Sequence, residues 1–329
     1  MILGKVSLGL IGLGQMGKTH LASCLHLKNA RLIAVSDVSE KSLLTAKKAG
    51  VKHVFKDYND LLKDPKIDAV IISLPTFLHA EASIKAAEHR KHILVEKPLA
   101  RNVSEAERVV SAANLNGVKL MVGYPARFNP SFQKLKNEIR LGTLGDVQIA
   151  TADHISTGPF FARGEKSVPK PVPSWWFDKE LTGGGALIDL GCHLINLLRW
   201  YFGEHSRIQS FLGHRFNMNF EDHATCIIKF QSGTIAILNV GWFARYYMCQ
   251  VKLYGTAKYT SATSQFPSLL DYAKKIFKKG TPSSRYKELE HFINCVTSDT
   301  NPSPSGQEGL EDLRLISTAY KHAFNLKKF

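Results

Sequence analysis

The chain of 329 residues is longer than one compact core usually accommodates, so its length predicts about two domains. Apolar residues make up 44% of the chain and charged residues 22%, which excludes a disordered protein. Lys and Arg number 43 against 28 Asp and Glu, and the net charge of +15 favours anionic ligands, although basic residues spread along the whole chain do not favour nucleic acid.

The first third of the chain alternates short apolar runs with helical patterns. Strands are predicted at 5–11, 30–36, 69–74, 92–96 and 120–123, and helices at about 17–28, 39–49, 58–63, 77–90 and 104–116. A capping box formed by Ser104 and Glu107 is expected to begin the last of these helices. This alternation predicts an α/β fold with a doubly wound parallel sheet that binds ligands at the carboxyl ends of its strands.

The first strand-to-helix turn carries a G-x-G-x-x-G motif, which is typical of dinucleotide binding in this context. Its residues are Gly12, Leu13, Gly14, Gln15, Met16 and Gly17. Gly12 permits a tight turn, Gly14 leaves room for a pyrophosphate, and Gly17 lets the helix pack closely on the strand. The helix N-terminus offers N–H groups to the diphosphate. The alternative is that these are ordinary turn glycines.

Asp37 ends the second predicted strand, 20 residues after Gly17. A carboxylate at this position accepts hydrogen bonds from the adenosine ribose and repels a 2′-phosphate. The sequence therefore predicts NAD as the cofactor, with NADP possible but disfavoured. The alternative is that Asp37 only caps the next helix.

Two later turns fall at the same edge of the predicted sheet, where the nicotinamide end of a dinucleotide should lie. They supply further predicted cofactor contacts, namely Leu74, Pro75, Thr76, His79, Glu96 and Lys97. Pro98 should hold the backbone of the preceding lysine in a fixed turn. The alternatives are a solvated surface lysine and a histidine that begins a helix and binds nothing.

After residue 123 the pattern changes to consecutive strands. A helix is predicted at about 130–141, a Pro-rich loop at 166–174, and strands at 146–155, 207–217, 222–231, 233–243 and 248–255, with a hairpin turn at 231–233. Short connections between strands predict an antiparallel sheet and an α+β domain. We therefore expect a dinucleotide-binding domain at 1–123 and a second domain at 124–329. A capping box at Ser305 and Glu308 predicts a final helix with a structural role.

A glycine-rich run in the second half precedes a possible acid–base pair. Asp189 and His193 follow Gly183-Gly184-Gly185 and lie four residues apart, so on an α-helix they would share one face. A neutral imidazole accepts a proton near pH 7, and a neighbouring carboxylate orients it. A surface salt bridge or a pair of metal ligands are the alternatives, but no third ligand is identifiable and no metal is expected.

The five cysteines are odd in number, far apart and without a Cys-x-x-Cys pair. A disulfide framework or structural zinc site is therefore not expected, and reduced thiols in the cytoplasm are. The apolar start at 6–13 lacks a signal-peptide cleavage site, and no uncharged apolar run approaches the roughly 20 residues of a membrane helix. We expect a soluble, cytoplasmic protein.

Together the motifs resemble those of the glucose–fructose oxidoreductase / inositol dehydrogenase-like (Gfo/Idh/MocA) oxidoreductases. In order along nearly the whole chain they are Gly12-x-Gly14-x-x-Gly17, Glu96-Lys97-Pro98, the run from Gly123 to Pro130, and Gly183-Gly-Gly-x-x-x-Asp189-x-Gly-x-His193. The resemblance implies an N-terminal Rossmann domain and a C-terminal domain built on a large, open, mostly antiparallel sheet. It also implies association through that sheet into homodimers or homotetramers.

The resemblance further implies the roles of individual side chains. Lys97 is similar to the lysine that binds the reacting oxygen, and Asp189 and His193 to the pair that orients the substrate and transfers a proton. Tyr124, Arg127 and Trp176 are further expected substrate contacts. The predicted activity is hydride transfer between nicotinamide and a secondary alcohol or ketone of a sugar, cyclitol or nucleotide sugar.

Two other classes of function stay open at this stage. One is a non-catalytic dinucleotide sensor, which the lysine, aspartate and histidine disfavour. The other is binding to a membrane or nucleic acid through the basic segment 267–279, for which a solvated helix is the simpler interpretation. Accordingly we expect a small sugar-like molecule as partner, and neither nucleic acid nor membrane.

Overall fold

The computed structural model describes residues 4–163, 166–169, 172–216, 218–264 and 283–325. Their contacts divide into two compact units. Unit 1 comprises the described residues of Met1–Pro125 and Leu269–Leu310, and unit 2 those of Ala126–Ser268 and Glu311–Phe329. The basic segment 267–279, the possible membrane or nucleic-acid element, lies outside the described residues.

Unit 1 contains a six-stranded parallel sheet with strand order β3-β2-β1-β4-β5-β6. This is the doubly wound order of dinucleotide-binding folds, and it confirms the predicted fold class. The strands are β1 (Val6–Ile11), β2 (Ala30–Ser36), β3 (His53–Phe55), β4 (Ala69–Ile72), β5 (His92–Glu96) and β6 (Leu120–Gly123). The three-residue strand β3 was not predicted, because it is too short to carry a hydrophobic period.

Five helices connect these strands, close to their predicted positions. They are α1 (Gln15–Cys24), α2 (Glu40–Lys48), α3 (Tyr58–Leu62), α4 (Thr76–Glu88) and α5 (Val103–Leu115). The predicted capping box of α5 is wrong, because the Asn102 side chain caps the helix and accepts the N–H of Glu105 at 3.0 Å. Asn is as good a cap as Ser, and the helix begins one residue before Ser104.

A segment from late in the chain also belongs to unit 1. Helix α9 (Ser284–Ser298) packs against α1 and β1. The domain boundary expected between residues 123 and 124 places this late segment in the second domain instead. As a result, α9 brings side chains to the dinucleotide-type sheet that no N-terminal motif indicates.

Unit 2 contains a seven-stranded sheet with order β14-β13-β7-β12-β11-β10-β15. Four of the six pairings between its described strands are antiparallel, which confirms the predicted mostly antiparallel sheet. The strands are β7 (Val147–Ile155), β10 (His205–Gly213), β11 (His223–Phe230), β12 (Ile235–Gly241), β13 (Met248–Gly255), β14 (Tyr259–Ser264) and β15 (Ala323–Asn325). The hairpin between β11 and β12 is confirmed, whereas β14 and β15 were not predicted.

The predicted Pro-rich loop is partly wrong. Its first residues form β9 (Lys166–Pro169), which pairs antiparallel with β8 (Phe160–Arg163) in a separate two-stranded sheet. A two-stranded sheet consists of edge strands alone, and edge strands tolerate proline. A 3₁₀-helix at Ser174–Phe177 follows.

Four further helices accompany this sheet, and α6 and α8 pack against its strands. They are α6 (Pro130–Arg140), the short α7 (Lys179–Thr182), α8 (Cys192–Phe202) and α10 (Gly306–Lys321). The capping box predicted for α10 is confirmed, because Ser305 Oγ accepts the N–H of Glu308 at 3.2 Å and Glu308 Oε2 accepts the N–H of Ser305 at 2.7 Å.

One helical stretch of the described chain is long and apolar enough to cross a membrane by length and composition. It covers Lys179–Phe202, 24 residues, and 67% of its most apolar window is buried inside the protein. Core helices of soluble proteins pass the same test, so the stretch is weak evidence for a membrane span. Helix α8, the second part of this stretch, lies in the core of unit 2.

Candidate active site

The glycine turn of unit 1 is held by backbone against backbone. Gly12 has φ +90°, and a Cβ there would press on the carbonyl oxygen of Ser73. A Cβ at Gly17 would overlap the carbonyl oxygen of Gly12. At Gly14, in contrast, a Cβ would meet open space, and no side chain caps α1. The turn therefore leaves an unfilled space in front of the helix N-terminus, which fits the diphosphate of a dinucleotide.

Asp37 directly follows β2, and its carboxylate is directed at this turn. Oδ2 accepts the N–H of Leu13 at 2.6 Å, and Oδ1 accepts the N–H of Ser39 at 2.8 Å. Helix α2 is capped by the Ser39 side chain, so Asp37 is not its cap. Since each carboxylate oxygen has a second lone pair, Asp37 can accept ribose hydroxyls while it holds the turn.

His79 joins two turns of unit 1. The side chain is buried, with Nδ1 2.8 Å from the carbonyl oxygen of Pro98 and Nε2 2.8 Å from that of Leu74. Burial lowers the pKa of His79 and outweighs these two carbonyl contacts. Both ring nitrogens thus face carbonyl oxygens of the chain itself, whereas Leu74, Pro75 and Thr76 at this turn are partly exposed.

The Glu96-Lys97-Pro98 turn presents one side chain and hides the others. Lys97 is partly exposed, whereas residues 93–96 and 98–100 are buried. The Glu96 carboxylate lies 2.8 Å from His20 Nε2 and 3.0 Å from Arg285 Nη1. Burial by itself would raise the pKa of Glu96, but Arg285, His20 and Lys97 together lower it below its ordinary value. Glu96 is therefore an internal anion held by protein groups.

A second carboxyl lies in the same interior. Glu288 is fully buried on α9, and neither of its oxygens has a hydrogen-bond partner among the described residues. Burial raises the pKa of Glu288 well above its ordinary value, although Arg285 lowers it in part, and Glu96 raises it further. Sequence reasoning missed His20, Arg285 and Glu288, because no motif marks them and α9 is distant along the chain.

In unit 2, Asp189 and His193 project from a segment that is otherwise buried. From Gly184 to Arg199, all of which the structure describes, these two residues alone are not buried. Asp189 belongs to a π-helix, Leu187–Gly191, and His193 to the first turn of α8. The expectation that both residues lie on one regular α-helix is therefore wrong. The wide turns of a π-helix are frequent at functional sites.

The three glycines before this pair have separate structural causes. Gly183 ends α7 with φ +85°, and Gly184 has φ +154°. At Gly185 a Cβ would overlap the carbonyl oxygen of Glu221. The glycine run lets the chain turn tightly and enter the π-helix against the backbone of a neighbouring segment.

Glu221 holds the start of the π-helix. Its buried carboxylate accepts the N–H groups of Gly185 at 3.1 Å and Leu187 at 2.9 Å, and the hydroxyl of Tyr320 at 2.8 Å. Burial raises the pKa of Glu221 in spite of these donors. No spacing rule in the sequence identifies this residue.

An aromatic ring on β7 adjoins His193. The His154 ring centroid lies 5.8 Å from that of His193 and 5.4 Å from that of Tyr247. His154 is buried on β7, and its Nδ1 is 3.3 Å from the carbonyl oxygen of Leu190. Sequence reasoning missed both residues, since only sheet formation brings β7 to the helix that carries His193.

The expected substrate contacts occupy different surroundings. Arg127 is buried, donates from Nε to Asn196 Oδ1 at 2.7 Å, and lies over the Trp200 ring at 5.3 Å. Tyr124 is 1% exposed. Trp176 is partly exposed and stacks on Trp175, with ring centroids 5.4 Å apart. Of these three expected contacts, Trp176 has the accessible surface.

The grouping and burial of the His, Cys, Asp and Glu side chains bear on metal binding and thiol reactivity. In the described ranges, no group of three or more His, Cys, Asp or Glu is placed to hold a metal ion. The five cysteines are buried, and none of them forms a disulfide. Burial raises the pKa of Cys24, Cys226 and Cys249 to about 12, so these thiols are not reactive thiolates at neutral pH.

Family models match both units of the chain. Residues 6–124 match GFO_IDH_MocA, an oxidoreductase family with an NAD-binding Rossmann fold, and residues 132–260 match the GFO/IDH/MocA C-terminal domain. The chain belongs to the Gfo/Idh/MocA family. It is an NAD-dependent oxidoreductase, which confirms the predicted enzyme class and cofactor.

Curated and solved relatives cover almost the full chain. The myo-inositol 2-dehydrogenase of Thermotoga maritima is 28% identical over 95% of this chain and 95% of its own. An uncharacterised oxidoreductase of Bacillus subtilis, YrbE, is 27% identical over 96% of this chain and 93% of its own. The crystal structure of a probable dehydrogenase from Thermotoga maritima has a TM-score of 0.84 at 25% identity, with 97% of each chain covered. Dehydrogenases among the relatives favour an enzyme over a non-catalytic sensor.

Two alanine substitutions separate the cofactor role of the glycine turn from its structural role. Gly14→Ala should keep the unfolding midpoint of the wild type, because its Cβ meets open space, but should weaken NADH binding at least ~10-fold as the methyl group occupies the diphosphate space. Gly17→Ala should lower stability by about 2 kcal/mol or more. Thermal unfolding and NADH fluorescence titration measure both effects. A Gly14→Ala protein with wild-type NADH affinity would remove the diphosphate from this turn.

Replacement of Glu288 should change how stability depends on pH. The folded-state pKa of Glu288 is raised, so stability is fully present below the unfolded value of about 4.3 and is lost as the pH rises toward the folded value. Glu288→Gln cannot ionise, so its stability relative to wild type should grow between pH 5 and pH 8, by up to ~1.4 kcal/mol per pH unit. Urea unfolding at several pH values measures the difference.

The exposed Glu88, changed to Gln, is the matched control and should follow the wild type throughout. Parallel pH curves for the wild type and Glu288→Gln would mean that Glu288 is ionised in the folded protein.

Proposed function

We propose that this dehydrogenase interconverts a secondary alcohol and a ketone on a sugar or cyclitol, with nucleotide sugars in the same class. The observation that supports this proposal most strongly is that Asp189 and His193 alone are not buried in the segment from Gly184 to Arg199. Related proteins support the substrate class, since one is named a myo-inositol 2-dehydrogenase and another a levoglucosan dehydrogenase. The net charge of +15 favours an anionic substrate within that class.

In the proposed mechanism unit 1 holds NAD. The glycine turn and the N-terminus of α1 face the diphosphate, and the Asp37 carboxylate accepts the ribose hydroxyls and disfavours a 2′-phosphate. When bound, NAD supplies the nicotinamide ring that accepts or returns a hydride. Leu74, Pro75 and Thr76 border the same edge of the sheet.

His193 is the proposed general base of alcohol oxidation. The substrate carbon loses its hydrogen with the bonding electron pair, while the hydroxyl proton passes to the His193 imidazole. Asp189 orients the substrate hydroxyl and the imidazole and stabilises the imidazolium. In the reverse direction His193 returns the proton to the carbonyl oxygen. His154 borders His193, Tyr247 borders His154, and both rings extend the proposed substrate surface.

Lys97 is proposed to stabilise the negative charge that develops on the reacting oxygen. Its side chain is the one that emerges from the buried run at the carboxyl end of β5, where ligands of doubly wound sheets bind. A fixed ammonium near that oxygen lowers the barrier in either direction. We propose that Lys97, Asp189 and His193 serve one reaction.

Turnover should depend both on Lys97 and on His193. Lys97→Ala and His193→Ala should each lower kcat at least ~100-fold, while NADH binding stays near the wild-type value. Absorbance of NADH, followed with a panel of inositols, sugars and nucleotide sugars, measures turnover. Lys52→Ala, at an exposed position of unit 1, is the matched control. Normal turnover by either active-site variant would remove that residue from the mechanism.

The outer face of the seven-stranded sheet supports a proposed homo-oligomer. Ile149 on β7 is paired with Ile235 on β12 and Tyr254 on β13, so their side chains share one face. The exposed large apolar residues on this face are Ile149, Ile227, Ile235, Tyr254, Tyr259 and Phe324. An apolar surface of this kind is typical of protein interfaces, and we propose a homodimer or homotetramer formed through it.

A charge on this face should separate the subunits. Ile235→Lys should shift the mass in solution from a multiple of 36.6 kDa to the monomer, because a buried lysine without a partner opposes association. Light scattering after size exclusion measures the mass. Leu115→Lys, on the exposed end of α5, should leave it unchanged. A wild-type monomer, or an oligomer that survives Ile235→Lys, would exclude this face as the interface.

We also propose that the protein works in the cytoplasm on a small molecule. Five free, buried cysteines suit a reducing compartment. A small polyol needs neither a membrane nor a nucleic acid as partner.

A further inference from the structure

A buried ionic cluster joins three segments of unit 1 that are far apart in the sequence. Glu96 ends β5, His20 lies on α1, and Arg285 lies in the first turn of α9. One Glu96 oxygen, Oε1, lies 2.8 Å from His20 Nε2 and 3.0 Å from Arg285 Nη1. The side chains of His20, Glu96 and Arg285 are 0%, 7% and 13% exposed. Water therefore screens these contacts little, and they hold Glu96 firmly.

We propose that Arg285 is a positioning residue that fixes the Lys97 ammonium by holding the Glu96 carboxylate. This proposal rests on the proposed role of Lys97 in the reaction. Glu96 and Lys97 are neighbours, so a fixed Glu96 side chain fixes the point from which the lysine side chain starts.

The other side of Lys97 is also anchored. The carbonyl oxygen of Pro98 lies 2.8 Å from His79 Nδ1, whose ring is buried against the turn after β4. Lys97 is thus held between two anchored neighbours, while its own side chain reaches the surface. Such support is needed where a charge must be placed to within about 0.5 Å of a reacting atom.

Arg285 forms its ion pair with Glu96, and its charge also lowers the pKa of Glu288 in part. Glu288 lies one turn farther along α9, but its carboxyl is buried without a hydrogen-bond partner among the described residues, so its neutral form is favoured. Arg285 Nη2 also lies 3.7 Å from the sulfur of Met16 in the glycine turn. The same guanidinium therefore contacts both the lysine turn and the dinucleotide turn.

The test is a double-mutant cycle between Arg285 and Lys97. Arg285→Met should lower kcat by about 10- to 100-fold, because small displacements of a catalytic group have effects of this size. In the Lys97→Ala background the same change should lower kcat less than about 2-fold, since no ammonium remains to be positioned. NADH affinity, measured by fluorescence, should change less than kcat. Arg285→Lys should restore part of the loss, because a lysine keeps the charge opposite Glu96.

A second variant covers the case in which Arg285→Met does not fold. Glu96→Gln keeps the shape of the side chain and an acceptor for His20 but removes the charge that Arg285 holds. It should reproduce the kcat loss and the same non-additivity with Lys97→Ala. Arg314→Met, which removes an arginine from an exposed ion pair with Glu311 in unit 2, is the matched control and should keep wild-type kcat.

The outcomes separate the two proposals. Wild-type turnover by Lys97→Ala would overturn the role of Lys97, and with it the positioning role. An impaired Lys97→Ala together with normal kcat in Arg285→Met or Glu96→Gln would overturn the positioning role alone. Losses that simply multiply in the double variants would also overturn it, because they would show that Arg285 acts on the fold and not through Lys97.

Discussion

The approach of one backbone to another is the constraint on which both parts of this enzyme depend. At Gly17 the carbonyl of Gly12 occupies the place of a side chain, and at Gly185 the carbonyl of Glu221 does. The first contact seats α1 against the end of β1 and leaves its N-terminus open. The second seats the π-helix that carries Asp189. In each unit a helix that carries proposed site residues is placed by a glycine at which a Cβ would overlap a backbone carbonyl.

Three buried glutamate side chains lie in these two units, and each has a different environment. Glu96 is ionised because a guanidinium and an imidazole surround it. Glu221 accepts two backbone N–H groups and a tyrosine hydroxyl, and burial raises its pKa. Glu288 has no hydrogen-bond partner among the described residues, and burial raises its pKa well above the ordinary value of a glutamate. Partners supplied by the fold, and not the residue type, decide what each glutamate does.

Much of the fold followed from local patterns. Strands β2, β5 and β6 begin and end where the apolar runs predicted, because buried parallel strands are continuous apolar segments. Strand β3 and strand β15 have three residues each and carry no period. The cap of α5 moved to Asn102, since two neighbouring residues can both cap a helix and tertiary packing selects the first turn. The π-helix at Leu187–Gly191 has no sequence rule that distinguishes it from an α-helix.

Motifs of fixed spacing were enough to predict the family, the two sheets and the cofactor class, because such motifs record local backbone geometry. The same motifs nominate Lys97, Asp189 and His193 as the proposed reacting groups. The side chains that surround those positions became visible once the sheets and helices were packed together. Arg285 and His20 meet at Glu96 because α9 returns to the first sheet, and His154 approaches His193 because β7 packs against the helix that carries it. Contacts between residues far apart in the chain have no period or spacing along it, so they arise when the sheets and helices pack.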